Sequence, residues 1–462
     1  MKIDVLVAEI GSTTTVVNAF SGIHTYNPSF IGQGQAPTSV FEGGDVRNGL
    51  NGAISDLSQN LGVESIEYDH MFATSSAAGG LKMTVHGLVY DMTAKAAKEA
   101  ALGAGAVIHK VTAGKIRRTD IKEIKEIKPN IILIAGGVDY GERDTALYNA
   151  ELIAGLNLGV PVIYAGNIEN QEEIKLIFED TNYKLYIVDN VYPKIDYLNI
   201  EPTREVIQNV FEEHITNAPG MEHIKEIVNE NITPTPGAVM EAATLLKSHL
   251  GDLIVIDVGG ATTDLHSVTE GSEAINRILV NPEPVAKRSV EGDLGVYVNM
   301  KNIVNIIGKE NLQEEFDFNV DEVMDNHLPI PKTPEQIKFV ERLTREAVLR
   351  ATKRHAGTIR NVYGASGKSK IAEGKDLTEV KYVVGTGGAL TRLPQRIEIM
   401  KYICEYNKNK NVLFPKQDAK ILVDNDYIMA SLGVLSKKYE EASLKLMLKS
   451  LRLEEEKVCT LD

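Results

Sequence analysis

Cysteine is scarce in this chain: only Cys404 and Cys459 occur among 462 residues. They stand far apart and outside any metal-ligand spacing, which argues against a disulfide scaffold, a zinc site or a cysteine-ligated cluster and fits a reducing cytoplasm. The ten histidines show no HExxH-type spacing, so they read as structural rather than metal-binding. Positive charge is also short. Lys and Arg number 49 against 64 Asp and Glu, a formal net charge of −15, leaving no basic field for a nucleic-acid backbone or an anionic membrane. No apolar run approaches bilayer-spanning length, and the opening MKIDVLVAEIGS is short and carries acids, so neither a signal peptide nor a membrane anchor is expected. What is present is a chain with 43% hydrophobic and 24% charged residues. It can bury a large core and is too long for one compact unit, so two or more domains are expected.

The chain is organised around residues 253–268, LIVIDVGGATTDLHSV. The apolar Leu253, Ile254, Val255 and Ile256 read as a buried strand that ends on Asp257. Gly259, Gly260, Ala261, Thr262 and Thr263 then turn the chain into a second strand. Glycine amides and threonine hydroxyls in such a turn can cradle phosphate oxygens, with Asp257 facing a phosphate-bound magnesium through water. Taken alone, the stretch is equally an ordinary hairpin.

The same grammar opens the chain, where DVLVA at 4–8 runs into Glu9, Gly11, Ser12, Thr13, Thr14 and Thr15, then Val16, Val17 and Ala19. Two such hairpins half a chain apart indicate two similar lobes. A third glycine turn follows Val383 and Val384, through Gly385, Thr386, Gly387 and Gly388. In this order the three turns resemble the first phosphate, second phosphate and adenosine motifs of the actin, sugar-kinase and heat-shock-chaperone ATPase superfamily. That resemblance implies an α/β fold of two RNase H-like lobes with an α/β insertion in the first. It also implies ATP and Mg2+ held between the lobes, with Glu9 and Asp257 as the catalytic acids that reach the metal through water.

Three segments are expected: a first ATPase lobe at 1–247 with its insertion at about 69–200, a second lobe at 248–438, and a C-terminal helix at 439–462. Within the first, the Gly-rich stretch 31–44 reads as an irregular loop, and Asp45 caps a helix with Val46, Leu50, Ile54, Leu57 and Leu61 on one face. Strands are expected at 70–75 and 82–89, and an alanine-rich helix at 91–105. From 106 to 187 strand and helix patterns alternate. There IAGGVD ends a strand on Asp139, which is either a ligand-facing loop or a plain turn. NITPTPG at 231–237 breaks the chain. The helices expected at 237–246 and 427–435 carry small residues that suit either connecting helices under a moving cleft or an ordinary core. Residues 282–295 read as a turn-rich passage, and 334–356 as a long helix. Its Arg350, Lys353, Arg354 and His355 form either a nucleotide contact or a solvated face.

Within the superfamily, VLVAEIGSTTTVVNAF, IAGGVD, TPTPGAVMEAA, VIDVGGATTDLHSV, VEGDLG and VVGTGGALT together resemble the GlmL family, also called MutL and unrelated to the mismatch-repair protein of that name. Members accompany adenosylcobalamin-dependent mutases, typically glutamate mutase. The resemblance implies a cytoplasmic, chaperone-like factor that uses ATP to open a mutase so that damaged cobalamin leaves and intact coenzyme enters. Two departures matter. Thr235 stands where the chaperones carry an acid that orients the attacking water, and Glu9 replaces the usual aspartate, so slow hydrolysis is expected. A small-molecule kinase with Asp139 or Asp264 as base and an actin-like filament protein remain alternatives. An iron-sulfur activator is disfavoured by the missing cysteines.

Overall fold

The computed structural model describes residues 1–11, 14–39, 44–76, 82–104, 106–215, 220–364, 367–406 and 411–453. The chain forms two compact units, one of Met1–Ser21 with Phe30–Ala238, the other of Gly22–Ser29 with Val239–Asp462.

In the first unit, β1 (Lys2–Ile10) and β2 (Thr14–Ser21) form an antiparallel hairpin with Ile10 opposite Thr15. β3 (Ser29–Pro37) lies beyond β2, and β4 (Glu67–Ser75) runs parallel to β1 on its other side. Ile3, Val5, Leu6, Val7, Ala8 and Ile10 of β1 are all fully buried, as befits a strand covered on both faces. The first part of 31–44 is therefore strand, not loop. A Cβ on Gly34 would lie 2.1 Å from the Ala53 carbonyl oxygen and 2.4 Å from the Leu57 nitrogen. Glycine there lets the helix Val46–Asn60 press its backbone onto β3, so the glycines mark close approach rather than a turn. That helix begins as expected, with the Asp45 side chain accepting from the Arg47 N–H and Val46, Leu50 and Leu57 buried.

The chain then leaves for a second sheet made of β5 (Lys82–Gly87), β6 (Val107–Ala113), β7 (Ile131–Ile134), β8 (Val162–Tyr164) and β9 (Leu185–Ile187). All pairings are parallel, in the order β6-β5-β7-β8-β9, a doubly wound arrangement. The helices Lys95–Gly103, Arg118–Ile127, Asp144–Ala154, Gln171–Glu179 and Glu201–Ile215 alternate with the strands, so the alternation expected across 106–187 is present. The chain returns as β10 (Ile232–Pro234), parallel to β4. The proline-bearing segment is thus an edge strand, where proline can sit with its missing N–H on the unpaired side.

The helix Thr235–Leu250 runs on into β11 (Leu253–Val258), β12 (Thr263–Val268) and β13 (Ala286–Glu291). β13 falls within the passage expected to be turn-rich, and it pairs antiparallel with β12. The long helix is Pro334–His355, capped by Thr333 and Gln336. A separate hairpin of β14 (Thr358–Gly364) and β15 (Gly367–Glu373) had no counterpart in the sequence reading. β16 (Tyr382–Thr386) and β17 (Lys420–Val423) complete the sheet β13-β12-β11-β16-β17. The helices Met429–Ser436 and Glu440–Ser450 follow, and the final residues 454–462 of the expected terminal helix lie outside the described residues.

The two lobe sheets share one topology. Counted within each lobe, the order is 3-2-1-4-5, with the second strand antiparallel to the first, the fourth parallel to the first and the fifth parallel to the fourth. This duplicated pattern is the RNase H-like pair of lobes of the actin and heat-shock-chaperone ATPases, and the doubly wound sheet is the insertion in the first lobe. Among the described residues no helix is long and apolar enough to cross a membrane.

Candidate functional site

In the second unit the β11–β12 register sets Asp257 opposite Asp264 and Val258 opposite Thr263, which leaves residues 259–262 to turn. The Gly259 N–H donates to the Thr262 carbonyl at 2.9 Å and closes the turn. Every other carbonyl of the turn is also taken. Gly259 O accepts from the Val296 N–H at 3.2 Å, and Gly260 O accepts from the N–H groups of Tyr297 and Val298 at 2.9 and 2.8 Å. Ala261 O accepts from the Asn299 side-chain amide at 2.8 Å. A planar trans peptide points its N–H opposite to its carbonyl. The N–H groups of Gly260, Ala261 and Thr262 therefore face away from these partners, and they take part in no hydrogen bond among the described residues. Consecutive free amides of this kind form a nest that can hold an oxyanion. The threonine hydroxyls point inward instead: Thr262 donates to Asp264 at 3.0 Å and Thr263 to the Leu294 carbonyl at 2.8 Å. What the turn offers a ligand is its backbone.

Asp257 is the second-to-last residue of β11, beside this nest, and lies level with Thr386 on the parallel neighbour β16. Two other acids stand close and are satisfied. Asp264 is buried and accepts from Arg288 Nε at 3.1 Å and Nη2 at 2.8 Å. Asp424, also buried, accepts from the Thr386 hydroxyl, the Ser450 hydroxyl and the Ile428 and Met429 N–H groups. Asp257 is half-buried and receives no hydrogen bond from any described residue. Burial first, then the charge of Asp264, with a smaller push from Asp424, raises its pKa to about 7 against the opposing pull of Arg288. A carboxylate held in this way gains most from an arriving cation. Among the described residues no group of three or more His, Cys, Asp or Glu side chains is placed to hold a metal ion. An ion at Asp257 would take its other ligands from water and from ligand oxygens, the usual habit of magnesium with phosphates.

The third turn fits around the same carboxylate. Gly387 has φ +80, and a Cβ there would sit 2.2 Å from Asp257 Oδ1. A Cβ on Gly385 would meet the Met400 sulfur at 2.5 Å, whereas at Gly388 nothing lies within 4 Å. Gly385 is thus needed for packing, Gly387 for access to Asp257, and Gly388 borders open space.

The first unit repeats the turn with the same acid-x-Gly-x-x-Thr spacing. The Gly11 N–H donates to the Thr14 carbonyl at 3.0 Å, and the Thr38 hydroxyl donates to Gly11 O at 2.8 Å. Ser12 and Thr13 lie outside the described residues. Glu9 is only 7% exposed and accepts from the Asn18 amide at 3.2 Å, while Asn18 accepts from Gln33 at 2.8 Å. Glu9 is therefore already tied into its lobe, and Asp257 is not.

Other nominated residues serve the scaffold. Asp139 accepts from the Ile168 N–H and the Asn190 amide, both at 3.0 Å, tying loops at the carboxyl edge of the inserted sheet. Arg350 pairs with Glu346, Lys353 donates to the Tyr406 hydroxyl, and Arg354 grips Glu291 and Asp293. His355 is buried between the hydroxyls of Ser267 and Ser289. Thr235 is the first residue of its helix, directly after β10. Asn18, Thr38, Arg288, Asn299 and Asp424 escaped the sequence reading. Only Asp424 carried a usable signal, an acid at the end of a β-branched and aliphatic run, much as Asp257 closes the run 253–256.

Residues 5–451 match the family described as MutL protein. Protein MutL of Clostridium tetanomorphum is 34% identical over 461 residues, covering 96% of this chain and 98% of that one. Among solved structures, a nucleotide-free diol dehydratase-reactivating factor is 10% identical with a TM-score of 0.36, covering 95% of this chain and all (100%) of that one. A glycerol dehydratase reactivase, also 10% identical, has a TM-score of 0.32 and covers 93% of this chain and 100% of that one. Those two likenesses are distant, and the assignment stands on the family match and the close relative: this chain belongs to the MutL protein family.

Proposed function

We propose that this chain is an ATP-dependent, chaperone-like reactivating factor for an adenosylcobalamin-dependent mutase, glutamate mutase or an amino mutase, and that it promotes exchange of damaged cobalamin. The observation that carries the nucleotide half of this reading is the nest of amides at Gly260, Ala261 and Thr262, which have no partner among the described residues, next to Asp257, which receives no donor from them. Family membership supports the partner. In this reading Gly259, Gly260, Ala261, Thr262 and Thr263 take phosphate oxygens in the second lobe, as Gly11, Ser12, Thr13 and Thr14 do in the first. Asp257 and Glu9 face Mg2+ through water, and Gly385, Thr386, Gly387 and Gly388 border the adenosine. Bound Mg-ATP supplies the free energy for a conformational change, because a ligand shifts an equilibrium only by its difference in affinity for the two states. The kinase alternative loses ground because both acids nominated as its base, Asp139 and Asp264, already accept hydrogen bonds from the scaffold.

Basal hydrolysis should be slow, since Thr235 cannot take a proton from an attacking water as a carboxylate would. Lacking a placed acid-base group costs about 10²- to 10⁴-fold, which against a median turnover of about 10 s⁻¹ gives roughly 0.1 s⁻¹ or less. Phosphate release measured without a partner checks this, and tens of turnovers per second would overturn it.

The partner is tested by inactivating a cobalamin mutase of the source organism until its coenzyme has lost the adenosyl group, then adding this protein, ATP, magnesium and fresh coenzyme. Recovered turnover that requires ATP is the expected result. Damaged cobalamin staying on every such mutase would refute the reading.

A further inference from the structure

We propose that residues 291–299 form a positioning strap for the phosphate turn, and that Asn299 is the side chain that locks it. The inference rests on the nucleotide reading above and adds to it a part that touches no ligand. VEGDLG was conspicuous in the sequence, yet none of its side chains was given a role.

The strap is anchored along its length. At its start Arg354, near the end of the helix Pro334–His355, holds Glu291 at 2.5 Å and Asp293 at 2.6 and 2.8 Å. Next, Leu294 O accepts from Thr263. Gly295 lies so close to the turn that a Cβ there would fall 2.2 Å from the Ala261 carbonyl carbon, so no residue with a side chain fits without shifting the turn. The Val296, Tyr297 and Val298 N–H groups then take the Gly259 and Gly260 carbonyls, and His327 holds the strap from behind, with its Nε2 at 3.0 Å from the Val296 carbonyl. Finally the Asn299 amide bridges Ala261 O and Gly292 O, each at 2.8 Å, closing the strap on itself.

The physical need is clear from the glycines. A peptide next to glycine flips easily because glycine tolerates both signs of φ, and a flipped peptide would present a carbonyl to the phosphate where an amide is required. A flip at Gly259 or Gly260 breaks backbone hydrogen bonds to the strap. The Ala261–Thr262 peptide, which adjoins no glycine, has one anchor among the described residues, the Asn299 side chain. Asn299 is therefore a positioning residue: it fixes the Thr262 N–H in the nest without meeting the phosphate.

The test compares wild type, N299A, N299Q and G295A in magnesium, measuring affinity for ATP and for adenosine by calorimetry and the melting temperature without nucleotide. Losing the positioned Thr262 N–H predicts about a tenfold fall in ATP affinity for N299A, with adenosine affinity unchanged, a small drop in melting temperature from the two Asn299 hydrogen bonds lost and partial recovery of ATP affinity in N299Q, which keeps the donor. G295A should lose more. If it fails to fold, N299A decides alone. Unchanged ATP affinity in N299A overturns the strap, as does an equal fall for ATP and adenosine, the mark of general loosening. Wild type that binds no Mg-ATP would instead remove the nucleotide reading, and the strap with it.

Discussion

Asp257→Asn is expected to remove the magnesium-dependent part of nucleotide binding at pH 8 and, in the same protein, to raise the melting temperature when nucleotide is absent. Both effects come from the carboxylate's having no donor among the described residues. Water-mediated metal contacts of this kind are worth about 10- to 100-fold in affinity, and the asparagine amide carries no charge to replace them. The stability effect follows from linkage. The Asp257 carboxyl titrates at about 7 in the folded chain against an ordinary 3.8. Between these values the folded state holds a proton that the unfolded state has released, so nucleotide-free stability falls as pH rises from about 4 to about 7 and stays low above that. The variant lacks this cost, which at about 1.4 kcal/mol per unit amounts to at most about 4 kcal/mol at pH 8. The same titration makes wild-type magnesium-nucleotide affinity climb between pH 6 and pH 8, because only the ionised form attracts the cation, while the variant's profile stays flat. Calorimetry with and without a chelator reads the binding, and melting curves across pH read the stability. A variant that keeps its magnesium dependence would show that Asp257 does not face the metal.

The parts of this molecule that sequence made legible are those set by near neighbours. A β-branched run ending in an acid, a glycine and hydroxyl residues produced both hairpins because strand, turn and register all lie within about twenty residues. Asp45 marked a helix start through a contact two residues away. What stayed hidden depends on distant partners. Arg288 meets Asp264 across 24 residues, and Asn299 meets Ala261 and Asp424 meets Thr386 across 38 each. No local pattern announces such pairs. Glycine and charge also misled where tertiary packing gave them another use. Gly34 looked like loop chemistry, but its missing side chain is what admits a helix backbone. Arg288 fell within a stretch that read as turn-rich, but it lies on β13, 2% exposed. The carbonyl pattern that creates the amide nest is a property of backbone orientation, which residue identities do not encode one at a time.

That buried arginine carries the largest expected stability effect. Arg288→Met keeps most of the side-chain volume but removes the charge, leaving Asp264 about 5% exposed with its guanidinium gone. The Thr262 hydroxyl still donates to Asp264 at 3.0 Å, but among the described residues no second cation pairs with it. His266, directly across from Arg288 in the β12–β13 register, is fully buried, and burial together with the arginine's charge holds its pKa far below the ordinary value, so it stays neutral. Breaking a buried ion pair from one side costs about 3–5 kcal/mol, because the remaining charge is stranded, whereas removing both charges costs far less. Arg288→Met should therefore be strongly destabilised in urea unfolding, and adding Asp264→Asn to it should restore most of the loss, giving a large coupling between the two positions. Arg288 also opposes the upward push on Asp257, so in Arg288→Met the pH dependence of magnesium-nucleotide binding should move to higher pH. In the double variant, with the Asp264 charge gone as well, it should move back. If the double variant is as unstable as Arg288→Met alone, shape rather than charge holds β13 to β12, and the tuning of Asp257 by this pair falls with it.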